Sequence, residues 1–526
     1  MGKALMVQGT ASFVGKSTLV VGLCRLFHDE GLRVAPFKAQ NMALNSFVTP
    51  EGCEIGRAQA AQAEAARVPP RADMNPILLK PEADHRAQVV VEGRVWGTLT
   101  AAEYQARKGE LWPLAEASLR RLMAEFDLVI IEGAGSPAEI NLKAEDIANM
   151  RVALSAQAPV LLVGDIDRGG VFASLLGTME LLEPEERALV AGFVINKFRG
   201  DPGLLEPGLV AIEQRLERPV LGVVPWIEDL GLAEEDSQGL DRSAELRVLS
   251  TESQGERSAL STQSSALIDI VVIRLAHIAN FDDFDPLARR RGVAVRYVDS
   301  AAELDHPDLV ILPGTKTTRE DLGRLRQRGL DHAIVEFARA GGAVLGICGG
   351  YQMLGERIDD PDGVEGYPGS EPGLGLLPAV TRFESTKATM QVQGQVLVTE
   401  GLFGRAQGAN LDAYEIHMGR TVGDGGALFA LGPQDRRALT PPSPIAMGEG
   451  EGRMDGLASA DGWVAGTYLH GLFHNRELRD GMLDGLAERK GACLPPDAPE
   501  SDPYDRLAAV LRSHLDIERI RVLAGL

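Results

Sequence analysis

Gly341-Gly-Ala-Val-Leu-Gly-Ile-Cys348-Gly-Gly-Tyr-Gln-Met-Leu-Gly355 sets an apolar run against a cysteine, two glycines and a second apolar run. Residues Ala343 to Ile347 have the length and composition of a buried strand, and Tyr351 to Leu354 are compatible with a helix. A cysteine at the junction is held on a sharp strand-to-helix turn, where the glycines tolerate close backbone approach. The start of a helix also favours a thiolate there. A cysteine ending a strand can equally be a small core residue. The catalytic reading therefore needs a base from elsewhere in the chain.

Gly466-Thr-Tyr-Leu-His470-Gly-Leu-Phe473 supplies one, as a short apolar strand stopping on a histidine. Upstream, Asp308-Leu-Val-Ile-Leu-Pro-Gly314-Thr-Lys316 reads as a strand running into a glycine loop. Together these segments resemble the class I glutamine amidotransferase family. The resemblance implies Cys348 as nucleophile, His470 as proton shuttle, and the backbone at Gly314 and Gly349 as oxyanion hole. The family's usual Glu two positions after the histidine is replaced by Leu472, which leaves the group orienting His470 open. A second histidine, His417, lies in the motif Tyr414-Glu-Ile-His-Met-Gly-Arg420, whose setting is polar. It is expected to be structural or substrate-facing, with His470 the base.

The N-terminal residues form a second chemical centre. Ala4-Leu-Met-Val-Gln8 reads as a buried strand, Gly9-Thr10-Ala-Ser-Phe-Val-Gly15-Lys16-Ser17-Thr18 as a phosphate loop, and Leu19 to Asp29 as the helix after it. Loop amides and the helix start would cradle phosphates, Lys16 would reach the terminal ones, and Ser17 would hold Mg²⁺. Five residues rather than four separate the loop glycines, a variant that resembles dethiobiotin synthetase and its relatives.

Further strands are expected at 33–37, 127–131, 159–163, 190–195 and 219–224, most of them separated by helical stretches. That pattern predicts a doubly wound α/β domain with its ligands at the carboxyl ends of the strands. Glu132 and Asp165 or Asp167 are then candidates for Mg²⁺, and Asn196 and Lys197 for contact with the nucleotide.

Pro36-Phe-Lys38-Ala-Gln40-Asn41-Met-Ala-Leu-Asn45-Ser46, Glu132-Gly-Ala-Gly-Ser-Pro-Ala-Glu139 and Gly164-Asp165-Ile-Asp-Arg168-Gly-Gly resemble the cobyric acid synthase family. So do Asn196-Lys-Phe-Arg199-Gly-Asp201, Ala279-Asn-Phe-Asp-Asp-Phe-Asp-Pro286 and the Tyr414-to-Arg420 segment. The likeness runs from Gly9 to about His470. It implies ATP- and glutamine-dependent amidation of the b, d, e and g carboxylates of an adenosylated corrinoid, adenosylcobyrinic acid a,c-diamide. Lys38, Gln40, Asn41, Asn45 and Ser46 are the candidates on the corrinoid side. Competing readings are a cobyrinic acid a,c-diamide synthase, a non-corrinoid amide ligase, and a P-loop regulatory ATPase carrying an inactive amidotransferase domain.

At 526 residues the chain exceeds one hydrophobic core. The expected organisation is an ATP-binding synthetase domain over 1–233, a polar linker over 234–265, an amidotransferase domain over 266–485 and a helical tail over 486–526. The segments 359–372 and 433–451, rich in Pro, Gly and acids, read as surface loops. A net charge of −22 argues against a nucleic-acid surface. Four scattered cysteines suggest neither a disulfide framework nor a metal cluster. No run of 18 apolar residues and no signal-peptide pattern occurs, so the expected location is the cytoplasm, away from any membrane.

Overall fold

The computed structural model describes residues 2–82, 86–227, 230–231, 268–432, 453–497 and 502–526. The expected linker over 234–265 and the expected loop over 433–451 lie outside them. The chain divides into two compact units. One comprises Met1–Ala43, Cys53–Ala233 and Glu500–Leu526; the other comprises Leu44–Gly52 and Glu234–Pro499.

The first unit is built on a six-stranded parallel sheet. From one edge to the other, its strands are Val220–Pro225, Val190–Phe198, Val160–Asp165, Lys3–Gly9, Leu128–Glu132 and Val34–Phe37. Their near-continuous Val, Leu and Ile runs suit a sheet covered on both faces. Lys3–Gly9 lies between Leu128–Glu132 and Val160–Asp165, pairing Val7 with Glu132 and Gly9 with Val163. The phosphate loop is thereby flanked by the ends of the two strands carrying Glu132 and Asp165. The helix after the loop, Lys16–Asp29, is packed by the helix Pro503–His514, whose Leu507 and Leu511 are fully buried.

The second unit holds a sheet ordered Val293–Val298, Ile268–Ile273, Leu309–Leu312, Ala343–Ile347, Val464–Thr467 and Leu457–Ala458. It is parallel except for its last pair. Beside it, the long antiparallel strands Ala379–Val396 and Asn410–Gly423 form the centre of a second sheet.

Three expectations change. The segment 359–372 is not wholly a loop, because Arg357–Asp360 pairs antiparallel with Gly369–Pro372. The strand expected to end on His470 breaks at Tyr468. Val464–Thr467 stays in the parallel sheet, while Leu469–His470 pairs in the other one, placing His470 opposite Tyr414. The expected tail over 486–526 is no single element either. A helix, Arg476–Lys490, runs through its first boundary, and the chain from Glu500 belongs to the first unit.

Candidate active sites

Cys348 ends the strand Ala343–Ile347 and precedes the short helix Gly349–Leu354 with φ 52° and ψ −110°. That conformation is costly for a residue with a Cβ, and such strain persists only where the surroundings impose it. The close turn depends on glycine: a Cβ on Gly350 would lie 1.9 Å from the Leu312 carbonyl oxygen of the neighbouring strand. Cys348 is buried, and its sulfur lies 3.7 Å from the Ile416 carbonyl oxygen.

His470 is fully buried. Its Nδ1 lies 2.7 Å from Asp283 Oδ2, and the other carboxylate oxygen accepts from the Gly471 amide at 2.8 Å. Asp283 therefore occupies the role left open by Leu472, holding the ring so that Nε2 faces away from the carboxylate. Burial opposes protonation of His470. The Asp283 charge and hydrogen bond, with a hydrogen bond to Cys348, outweigh it and push the pKa up to about 10. Gly314 lies against the ring, and a Cβ there would sit 3.0 Å from His470 Cε1. The loop from Gly314 to Thr318 is pinned by Thr315 Oγ1 donating to Asp321 at 2.5 Å and by Thr318 Oγ1 donating to Gln352 at 2.9 Å. Gly349 packs on this loop, with its Cβ position 3.2 Å from the Thr315 amide nitrogen, so the two expected oxyanion-hole segments are adjacent.

His417 sits elsewhere on the strand Asn410–Gly423. Its ring stacks on Tyr468 at 3.8 Å between centroids, and its Nδ1 is 3.1 Å from the Gly419 carbonyl. Burial pushes its pKa down to about 4, so it is neutral at pH 7 and donates to that carbonyl.

Asp283 lies within the 279–286 motif, where no local feature assigns it a role. The signal is tertiary, since the residue meets a histidine 187 positions away. Replacing Asp283 by Asn should lower glutaminase turnover on the order of 10²–10⁴-fold through loss of ring orientation and charge. Ammonia-dependent synthesis should be unaffected. The alkaline limb of the glutaminase pH profile should also move to lower pH. The linkage to stability has the same origin. A folded pKa near 10 against an ordinary 6.5 stabilises fully below pH 6.5 and progressively less as pH rises towards 10. In denaturant titrations, the deficit of the Asn variant relative to wild type should shrink over that interval.

In the first unit, the phosphate loop is braced from within. Gly15 has φ 96°, and a Cβ there would fall 2.1 Å from Asn196 Nδ2. Asn196 Nδ2 donates to the Val14 carbonyl at 2.8 Å, and Lys197 Nζ donates to the Phe13 carbonyl at 2.6 Å and to Asp165 at 2.8 Å. Asn196 and Lys197 thus hold the loop backbone itself. Lys16 is buried, with Nζ donating to the Ala11 and Gly135 carbonyls, both at 2.9 Å.

Glu132 is buried and takes three donors: Ser17 Oγ at 2.8 Å, Lys38 Nζ at 2.9 Å and Gln62 Nε2 at 2.5 Å. Ser17 and Glu132 are therefore together, whereas Asp165 is engaged with Lys197 on the other side of the loop. Among the described residues no group of three or more His, Cys, Asp or Glu side chains is placed to hold a metal. The oxygen pair Ser17 and Glu132 fits Mg²⁺, which takes one or two protein oxygens and completes its shell with phosphate and water.

The candidates in the 38–46 segment separate. Lys38 is paired with Glu132, Gln40 accepts from Tyr104 at 2.7 Å, and Asn41 donates to Gln59 at 3.0 Å, all in the first unit. Asn45 and Ser46 belong to the second unit. The four cysteines are unbridged, and no helix among the described residues is long and apolar enough to cross a membrane.

Comparison with known proteins covers both units. A family described as the CobQ/CobB/MinD/ParA nucleotide binding domain matches residues 5–240, and the CobB/CobQ-like glutamine amidotransferase domain matches residues 269–478. A cobyric acid synthase of Dehalococcoides mccartyi strain CBDB1 is 49% identical over 524 residues, covering 99% of this chain and 98% of that protein. Those of Sorangium cellulosum, over 99% of this chain and 98% of the relative, and Desulforudis audaxviator, over 100% and 99%, are each 51% identical. With a nucleotide-binding unit, an amidotransferase unit and this likeness along nearly its whole length, the chain belongs to the cobyric acid synthase family.

Proposed function

We propose that the protein uses ATP and glutamine to amidate the b, d, e and g carboxylates of adenosylcobyrinic acid a,c-diamide, giving adenosylcobyric acid in cobalamin biosynthesis. The observation that carries the glutaminase half is the Cys348–His470–Asp283 constellation. Cys348 Sγ attacks the side-chain amide carbon of glutamine, and the oxyanion is met by backbone amides at Gly349 and the Gly314 loop. Collapse of this intermediate breaks the carbon–nitrogen bond. His470 protonates the departing nitrogen, so ammonia leaves and a glutamyl thioester remains. Water then attacks the thioester, giving its proton to His470, and glutamate is released as the carbon–sulfur bond breaks.

In the synthetase half, a corrinoid carboxylate oxygen attacks the γ-phosphorus of ATP and expels ADP. Ammonia then displaces phosphate from the acyl phosphate, forming the amide. Lys16 neutralises charge on the transferring phosphoryl group, and the loop amides fix the phosphates. Gly9, Thr10, Gly15 and Thr18 shape this loop. Bound through Ser17 and Glu132, Mg²⁺ would add positive charge beside the phosphates. Lys38, paired with Glu132, helps to set the charge of that corner, and we assign Gln40 and Asn41 to the corrinoid.

Two comparisons test this reading. His470→Ala should abolish glutamate release while His417→Ala leaves it far less affected, because His417 is neutral and committed to Gly419. The reverse pattern would identify the wrong histidine. Glutamine hydrolysis and ATP turnover should also rise on addition of the corrinoid. A regulatory ATPase with an inactive amidotransferase would show no glutaminase at all.

A further inference from the structure

The segment Leu44–Gly52 lies between strands of the nucleotide-binding unit in sequence, since Gln40–Met42 precedes it and Glu54–Gly56 follows it. Yet it belongs to the amidotransferase unit. Asn45, Ser46, Val48 and Thr49 are all fully buried. Their bonds converge on the groups around His470. The Phe281 amide donates to Asn45 Oδ1 at 3.3 Å, and the Ser46 amide donates to Asn280 Oδ1 at 3.0 Å. Asn280 Nδ2 donates to the Tyr414 hydroxyl at 3.3 Å, and that hydroxyl donates to the Ser46 carbonyl at 3.4 Å. At the far end, Gln391 Nε2 donates to the Val48 carbonyl at 2.9 Å.

Two routes lead on to the catalytic atoms. Asn280 starts the turn Phe281–Phe284, and its carbonyl accepts from the amide of Asp283, which holds His470. Tyr414, contacted by Phe47 at 5.4 Å between centroids, stacks on the His470 ring at 5.4 Å and 21°. The same strand presents the Ile416 carbonyl to the Cys348 sulfur.

We propose that Leu44–Gly52 is a positioning element of the glutaminase, lent by the N-terminal part of the chain to fix Asp283 and the Tyr414 ring around His470. A buried ring held by one carboxylate can still rotate or tilt, and small misplacements at a proton-transfer step are costly. The strap removes that freedom from two sides. Glutamine hydrolysis then depends on a segment that in sequence interrupts the nucleotide-binding unit.

The proposal rests on the glutaminase reading of Cys348 and His470, and its test separates the two. Asn280→Gly removes the side chain bridging Ser46 and Tyr414 while accommodating the φ of 54° found there. Glutaminase kcat should fall about tenfold or more with the glutamine KM within about twofold, the signature of lost orientation rather than lost binding. The alkaline limb of its pH profile should shift down as the Asp283–His470 pair loosens, and ammonia-dependent amidation should stay at the wild-type rate. Gln391→Leu, which frees the Val48 end, should act in the same direction. It decides the matter if the first variant fails to fold. Wild-type kcat and an unchanged pH profile in a folded variant would overturn the strap's role while leaving the glutaminase reading intact. Glutaminase surviving in Cys348→Ser would instead overturn the underlying reading.

Discussion

Cys348→Ser removes glutamine-dependent amidation, by roughly 10³-fold or more, and leaves amidation supported by high ammonia near the wild-type rate. A hydroxyl in the same strained turn has no comparable nucleophilicity, and His470, protonated at neutral pH beside Asp283, is no base for activating it. Only the nitrogen source is lost, because the phosphate loop lies in the other unit. The measurement is product formation with each nitrogen donor, alongside glutamate release. Loss of both activities in a folded variant would show that Cys348 serves the synthetase as well.

Lys16→Ala gives the opposite pattern and fails with either donor. The buried ammonium is held by two backbone carbonyls at the mouth of the loop, and its removal leaves the transferring phosphoryl group short of a positive charge. Comparable losses amount to several kcal/mol, or on the order of 10²–10³-fold in rate. Basal glutamate release, measured without ATP, should persist. Ammonia-dependent amidation surviving in this variant would move the ATP site away from Gly9–Thr18.

These outcomes rest on features the sequence displays unequally. Strands such as Lys3–Gly9 and Ala343–Ile347 are legible because parallel strands buried on both faces are written as continuous apolar runs. Cys348, Lys16 and Ser17 are legible because each sits at a junction whose glycines mark the turn. Asp283 is not, since its role depends on a contact 187 residues away that no local period encodes.

The setting of His417 looks polar in sequence, yet its ring is stacked against Tyr468 and largely covered. Composition misses the pairing at the two ends of 359–372, because the edge strand Gly369–Pro372 tolerates the Gly and Pro that usually mark loops. The 38–46 segment reads as one motif, but the chain passes from one unit to the other after Ala43, and only packing reveals that Asn45 and Ser46 belong to a different unit from Lys38, Gln40 and Asn41.

The most direct measurement is a count of the amides added. Purified protein would be supplied with ATP, Mg²⁺, amide-nitrogen-labelled glutamine and adenosylcobyrinic acid a,c-diamide, and the corrinoid product analysed by mass spectrometry. Amidation at b, d, e and g predicts four incorporated labels in the final product, one glutamate and one ADP formed for each. A product that stops at two labels, or a corrinoid returned unlabelled while ATP is still hydrolysed, would contradict the assignment.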